Sequence, residues 1–190
     1  MTANLTDEQL IRKSLDGDNE AFGEIVKRWE RKIFALCYGM LGCKEEALDV
    51  TQETFMLAYR SLQSFRGEAK ISSWLHRIAL NQCLTKMRSK KNSAEEINIE
   101  SEPSLSTAAS KKAVSPPELV ETKERAELVR KAVRSLPLEL RQVVIMKEFE
   151  DMTFQQIAET LNLPVSTVKS RLYLALKQLK MKLEEKISAV

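Results

Sequence analysis

From Asn92 to Pro117 the chain reads NSAEEINIESEPSLSTAASKKAVSPP, with six serines, three prolines and no apolar stripe at helical spacing. A stretch with nothing to bury reads as a linker. Apolar residues recur at a 3.6-residue period on both sides of it, so any core these 190 residues build is divided between two small lobes. The expected organisation is therefore one domain over 1–91, a linker over 92–117 and a second domain over 118–190. A flexible coil of the linker's length spans about 28 Å root-mean-square and at most about 85 Å. It joins the lobes without fixing their separation.

Both lobes read as all-α. Only 5 glycines occur, and Leu, Ala, Glu, Lys and Arg dominate over β-branched runs. Thr6-x-x-Gln9 is a capping-box pattern opening a short helix that stops at Gly17. Asp18 caps the next, whose Phe22, Ile25, Val26, Trp29, Ile33, Cys37 and Met40 share a face before Gly42 ends it. A third helix runs from about Lys44 to Leu62, with Ala47, Val50, Thr54, Ala58 and Leu62 inward. A fourth, capped by Ser72, reaches about Lys90. Beyond the linker, Pro117 starts a helix burying Ala126, Val129, Val133 and Leu136, halted at Pro137. Another covers Glu139 to about Glu150, and two more flank a break at Asn162–Pro164.

Several classes are excluded. No apolar run approaches the roughly 20 residues of a membrane-spanning helix, so direct membrane insertion is not expected. Met1 to Gln9 is polar with two acids and lacks a secretion signal's layout. Three cysteines, Cys37, Cys43 and Cys83, suit a reducing cytoplasm better than a disulfide framework, and Cys37 on its apolar stripe reads as a buried thiol. One histidine, His76, and no C-x-x-C argue against a metal site. His76 has no acid or cysteine beside it in sequence, and no glycine-rich phosphate loop occurs. Neither an enzyme nor a bound cofactor is expected.

The net charge of +3 is unevenly spread. Residues 66–91 hold 7 basic groups and 1 acidic, and residues 164–190 hold 6 and 2, whereas the segments between and before them are net acidic. Two separate basic segments suggest two nucleic-acid contacts.

Thr153 to Leu176 carries the clearest local motif. Phe154, Ile157, Ala158 and Leu161 form one face of a two-turn helix, Asn162-Leu163-Pro164 breaks it, and Val168, Leu172, Leu176, Leu179 and Leu183 form the inner stripe of a longer one. That is helix-turn-helix spacing, in which the second helix enters the major groove, although an ordinary helical hairpin shares it. Ser166, Thr167, Lys169, Ser170, Arg171 and Tyr173 lie outward at its start, where hydroxyls and amides bind phosphate and a cation reaches a guanine edge. In the other basic segment Trp74, Arg77, Asn81, Thr85 and Arg88 share a helical stripe, with Arg66 and Lys70 just ahead of it. An aromatic, an amide and cations on one stripe suit an unpaired strand, and the 66–70 loop suits one wall of a pocket for an extruded base. Trp74 reads equally well as core. Asp49, Gln52 and Glu53 cluster on the third helix; like charges four apart cost a few tenths of a kcal/mol, which suits a basic partner, though solvated acids are the default.

Together these features resemble the small extracytoplasmic-function type of bacterial RNA polymerase sigma factor. The resemblance rests on Asp18-x-x-Ala21-Phe22 leading to Trp29, then Gly42 with Ala47-x-Asp49-Val50-x-Gln52-Glu53-x-Phe55. It continues through Phe65-Arg66-Gly67, Trp74-Leu75-x-Arg77-Ile78-Ala79-x-Asn81 and Leu136-Pro137-x-x-x-Arg141. It ends in Ile157-Ala158-Glu159-x-Leu161 and Val165-x-Thr167-Val168-Lys169-Ser170-Arg171. The resemblance implies a region 2 bundle and a region 4 helix-turn-helix. Asp49, Gln52 and Glu53 would dock on the clamp helices of polymerase β′, and Phe65 to Arg88 would melt and read the promoter −10 element. The helix-turn-helix would read the −35 element and touch the β flap, while the linker would pass through the RNA exit channel. It also implies an anti-sigma factor, often membrane-bound, as inhibitor. The family's usual Gly is Ser166 here, its frequent arginines are Leu174 and Leu176, and an Asp near the end of its −10 helix is Thr85. A ligand-sensing helix-turn-helix regulator is the alternative, and it has no need of the basic, aromatic segment 65–91.

Overall fold

The computed structural model describes residues 5–65, 67, 70–97 and 117–187. Eight α-helices account for most of them, and no strand occurs among the described residues. The first lobe holds α1 (Asp7–Leu15), α2 (Asn19–Leu41), α3 (Lys44–Ser61) and α4 (Ile71–Ile97). The second holds α5 (Pro117–Arg134), α6 (Leu138–Val144), α7 (Phe154–Leu161) and α8 (Val165–Ile187).

Local chemistry sets the helix ends. The Thr6 hydroxyl accepts from the Gln9 amide and the Gln9 side chain accepts from the Thr6 amide, a complete capping box. Asp18 Oδ1 accepts from the amides of Glu20 and Ala21, at 3.0 and 3.2 Å. Gly42 closes α2 in the left-handed region at φ 76°, where a side chain would be strained. The helix of the second basic segment begins ahead of the expected Ser72 cap. The Trp74 amide donates to the Lys70 carbonyl at 3.2 Å, which makes Lys70 the boundary residue, while Ser72 lies buried inside the first turn. At its far end α4 continues to Ile97, six residues into the stretch expected to be linker.

In the first lobe α2, α3 and α4 pack on one another, and α1 lies on α2. Ile25, Ile33, Leu36, Met40, Val50 and Leu75 are wholly buried there, with Cys37 and Cys83 among them. In the second lobe α8 is the backbone against which α5, α6 and α7 rest. Two expected core positions are corrected. Val129 is exposed and Ala132 is buried instead; Leu176 is 41 % exposed, and Ala175, at 0 %, takes its place. At about 100° per residue Ala175 falls about 20° from Val168 on the inner face, whereas Leu176 lies about 80° from Val168, beyond Leu172. The expected single helix from Glu139 to Glu150 is also modified: Ile145–Phe149 is a five-residue π turn, closed by the Glu150 amide on the Ile145 carbonyl at 3.2 Å.

The lobes meet along a seam. Ile145 of the π turn fills the space above Gly39 on α2, where an added Cβ would lie 3.0 Å from its Cδ1. Arg134 Nη1 donates to the Gly42 carbonyl and Arg141 Nη1 to the Met40 carbonyl, both at 3.1 Å. Arg134 is held by Glu127 at 2.8 Å, and Arg141 also donates to the carbonyls of Arg134 and Leu136. Replacing Asp18 with alanine leaves two amides of α2 without their acceptor and is expected to lower stability by about 1 kcal/mol, measured by urea unfolding.

Candidate functional site

Three surfaces carry the residues singled out by sequence. The first is on α3, where Asp49, Gln52 and Glu53 are all exposed. Beside them stand Leu48, Met56 and Tyr59, each about half exposed. Asp49, Gln52, Leu48, Met56 and Tyr59 line a groove of about 860 Å³ floored by Phe22, Val26, Phe34 and Phe55. Glu53 lies outside that lining. Tyr59 stacks edge-on to Phe22 at 5.0 Å and donates its hydroxyl to Asn19 Oδ1 at 2.7 Å. Large apolar side chains beside carboxylates give a surface with an apolar centre and a polar edge, the composition of a protein interface.

The second surface is α4. Arg77, Asn81, Thr85 and Arg88 are exposed along one face, and Lys70 is exposed just ahead of it. Trp74 is half-buried and packs on Phe65 with ring centres 4.9 Å apart. Its ring is therefore held by packing at the edge of this face. Arg66 lies outside the described residues. Arg77 reaches across the seam, donating from Nε to the Thr160 carbonyl at 3.2 Å and from Nη2 to the Glu159 carbonyl. Asn81 shares a cleft of about 420 Å³ with Thr160, Leu161 and Asn162.

The third surface is the helix pair α7–α8. Thr153 and Gln156 form a capping box, and Asn162 adopts the left-handed conformation at φ 53° to turn the chain. Ile157, Ala158, Val168 and Leu172 are buried where the two helices meet. At the start of α8, Ser166, Lys169, Ser170 and Tyr173 are exposed, Tyr173 at 67 %, while Thr167 and Arg171 are half-covered. The Ser170 hydroxyl donates to the Ser166 carbonyl at 2.9 Å, and the Lys169 ammonium lies 5.6 Å from the Phe154 ring centre. Leu174 and Leu176 stand exposed further along.

Comparison with known proteins bears on these surfaces. The family model for sigma-70 region 2 matches residues 25–93, and that for sigma-70 region 4 matches residues 126–179. The ECF RNA polymerase sigma-E factor of Escherichia coli K12 is 33 % identical over 178 residues, covering 92 % of this chain and 93 % of its own. The ECF RNA polymerase sigma factor SigW of Bacillus subtilis is 35 % identical over 174 residues, covering 87 % and 92 %. The chain belongs to the extracytoplasmic-function sigma factors of RNA polymerase.

Solved structures agree on the fold of this sigma factor. CnrH, in complex with the cytosolic domain of CnrY, superposes with a TM-score of 0.69 at 21 % identity, covering 94 % of this chain and 97 % of its own. The sigma factor RpoE of Bartonella quintana, in complex with the anti-sigma factor NepR, gives 0.66 at 18 % identity, covering 86 % and 96 %. Among the described residues of the sigma factor no helix is long and apolar enough to cross a membrane.

The exposed Leu48, Met56 and Tyr59 escaped the sequence reading, although their spacing with Asp49 and Gln52 puts them on one helical face. So did an acid for His76. Glu150, 74 positions away, comes to 3.9 Å from the imidazole Nε2. Nothing in local sequence signals a pair formed between lobes. In the helix-turn-helix, Asn162→Gly is expected to change stability by less than about 0.5 kcal/mol and Asn162→Ala to cost about 1 kcal/mol, because the turn requires a left-handed residue; urea unfolding of both variants checks it.

Proposed function

We propose that this sigma factor docks on core RNA polymerase through the α3 surface and reads promoter DNA with the two basic faces. The observation that carries the reading is the separation of these chemistries on one chain. An acidic and apolar face on α3 stands apart from cationic faces at both α4 and the start of α8. Asp49, Gln52 and Glu53, with Leu48, Met56 and Tyr59 supplying buried area, suit the β′ clamp helices as partner. Arg66, Lys70, Trp74, Arg77, Asn81 and Arg88 suit a melted −10 strand, with Trp74 offering an aromatic surface and the cations holding phosphates. Ser166, Thr167, Lys169, Ser170, Arg171 and Tyr173 suit the −35 element, with hydroxyls on phosphate and Lys169 or Arg171 at base edges. The exposed Leu174 and Leu176 replace cations on α8 with apolar surface, which favours a protein such as the β flap over further phosphates.

The domain roles follow: residues 1–91 for docking and −10 recognition, 118–190 for −35 recognition, and the chain between them as tether. The factor performs no chemistry of its own, needs no cofactor or metal, and acts in the cytoplasm where polymerase supplies catalysis. The structural neighbours are described in complexes, one of them with an anti-sigma factor, and an anti-sigma factor is proposed as this chain's inhibitor too.

Run-off transcription with purified core polymerase on genomic promoters tests the reading. Promoter-specific transcripts are expected only when the chain is added; their absence, together with failure to co-purify with core enzyme, overturns it. The double variant Asp49→Ala, Glu53→Ala is expected to weaken core binding about tenfold in a pull-down or fluorescence titration, corresponding to roughly 1.4 kcal/mol. Arg171→Glu is expected to reduce use of promoters with an upstream element while leaving core affinity unchanged.

A further inference from the structure

The seam between the lobes brings together groups that the proposed function needs apart. Elements named −10 and −35 lie about 25 base pairs from one another, roughly 85 Å along B-DNA. In this structure Arg77 of the −10 face donates to the last carbonyls of α7, the first helix of the helix-turn-helix. Even the length of α8, about 35 Å for 23 residues, does not span such a distance. On the proposed promoter reading, the joined lobes must separate before both elements are engaged.

One contact in the seam has unmet hydrogen-bonding capacity. His76 on α4 and Glu150, just after the π turn, come from opposite lobes, and their side chains are 2 % and 3 % exposed. His76 Nδ1 lies 2.7 Å from the Ser72 carbonyl. A carbonyl only accepts, so Nδ1 carries a proton. In a neutral ring Nε2 is then a bare lone pair. It has no hydrogen-bond partner and faces Glu150 Oε2 at 3.9 Å. A lone pair against a buried carboxylate is unfavourable, whereas a proton on Nε2 turns the same geometry into an ion pair.

The surrounding groups do not supply that proton. From α2, Trp29 meets the imidazole edge-on at 6.2 Å, and Lys32 sits over the Trp29 ring at 5.1 Å. From α1, Asp7 accepts from Trp29 Nε1 at 3.2 Å and also binds Arg28. The pocket shared by Lys32, Ser72, His76, Glu150 and Asp151 is closed on the α7 side by the uncharged Gln156. Lys147 is turned to the Met152 carbonyl at 3.1 Å, and Cys37 lies within electrostatic reach of Glu150. Lys32 opposes a charged ring, while Asp7 and Asp151 favour it.

We propose that His76 and Glu150 form a proton-operated clasp: closing the lobes takes one proton from solvent onto Nε2, so acid holds the sigma factor shut and rising pH releases it. The sign follows from linkage. The closed form binds the extra proton, so its population is greatest at low pH and falls as pH rises. For one proton the closed-to-open ratio changes by at most tenfold per pH unit.

The test uses the full free chain, without polymerase or DNA, so its result is separable from that of the transcription assay. Small-angle X-ray scattering is recorded from pH 5.5 to 8.0 alongside the proton spectrum of His76, the one histidine in the sequence. A radius of gyration near the compact-chain value of about 16 Å is expected at pH 5.5, increasing by several ångström by pH 8.0, with the His76 ring signal moving over the same interval. Glu150→Gln keeps the side chain's shape and removes its charge, and its radius is expected to lose the pH response. A wild-type radius that stays constant over this range overturns the proposal. So does a Glu150→Gln chain whose radius follows pH as the wild type does.

Discussion

Helix C-termini need positive charge or hydrogen-bond donors, and neither α2 nor α7 has a basic residue in its last turn. Each finds its donors in the other lobe. Arg134 and Arg141 donate to the Gly42 and Met40 carbonyls at the end of α2, and Arg77 donates to the Glu159 and Thr160 carbonyls at the end of α7. The exchange is reciprocal, each lobe terminating a helix of its neighbour. Burial and the nearby Arg134 charge pull the Arg141 guanidinium below its ordinary value, and its Nε has no acceptor among the described residues. A cation held under those conditions is fixed in place by its carbonyl partners more than it is stabilised by them.

This reciprocity explains how a chain with two small cores holds together across a stretch that buries nothing by periodicity. Neither lobe is large, and the seam adds apolar contact through Ile145 on Gly39 to the three arginines. It also sets the surfaces in opposition. The α3 groove lies on the first lobe, formed by α2 and α3 residues alone, while the α4 face and the helix-turn-helix are the ones drawn together. The α3 groove and the start of α8 are therefore open in this structure, while Arg77 of the α4 face is engaged with α7.

Much of the helical architecture was legible because short-range rules decide it. Thr6 with Gln9, Asp18, Gly42 and Asn162 each mark a boundary through hydrogen bonds within a few residues or a left-handed φ. The inward faces of α2 and α3 followed from period alone. Errors arose where two solutions were locally equivalent. Leu176 is as apolar as a core residue, and only its angle distinguishes it from Ala175. Ser72 has the chemistry of a cap, yet its place inside the first turn is decided by the Lys70 carbonyl. Arg77 was rightly placed on an outward stripe, but its carbonyl partners lie 82 and 83 positions away. No pattern along the chain encodes such a contact.

The π turn has a consequence of a different kind. A π segment accommodates one residue more per turn than an α-helix, so Ile145–Phe149 carries a surplus that no side chain reveals. Removing any single residue there would let the helix wind regularly, with its apolar composition almost intact. Everything downstream, Glu150, α7 and α8 included, would then be turned by about 100° relative to α6. The aim of the reading helix and the meeting of the two lobes are thus stored as a count of residues. Length variation in this short stretch would re-aim the molecule more than most exchanges of one amino acid for another.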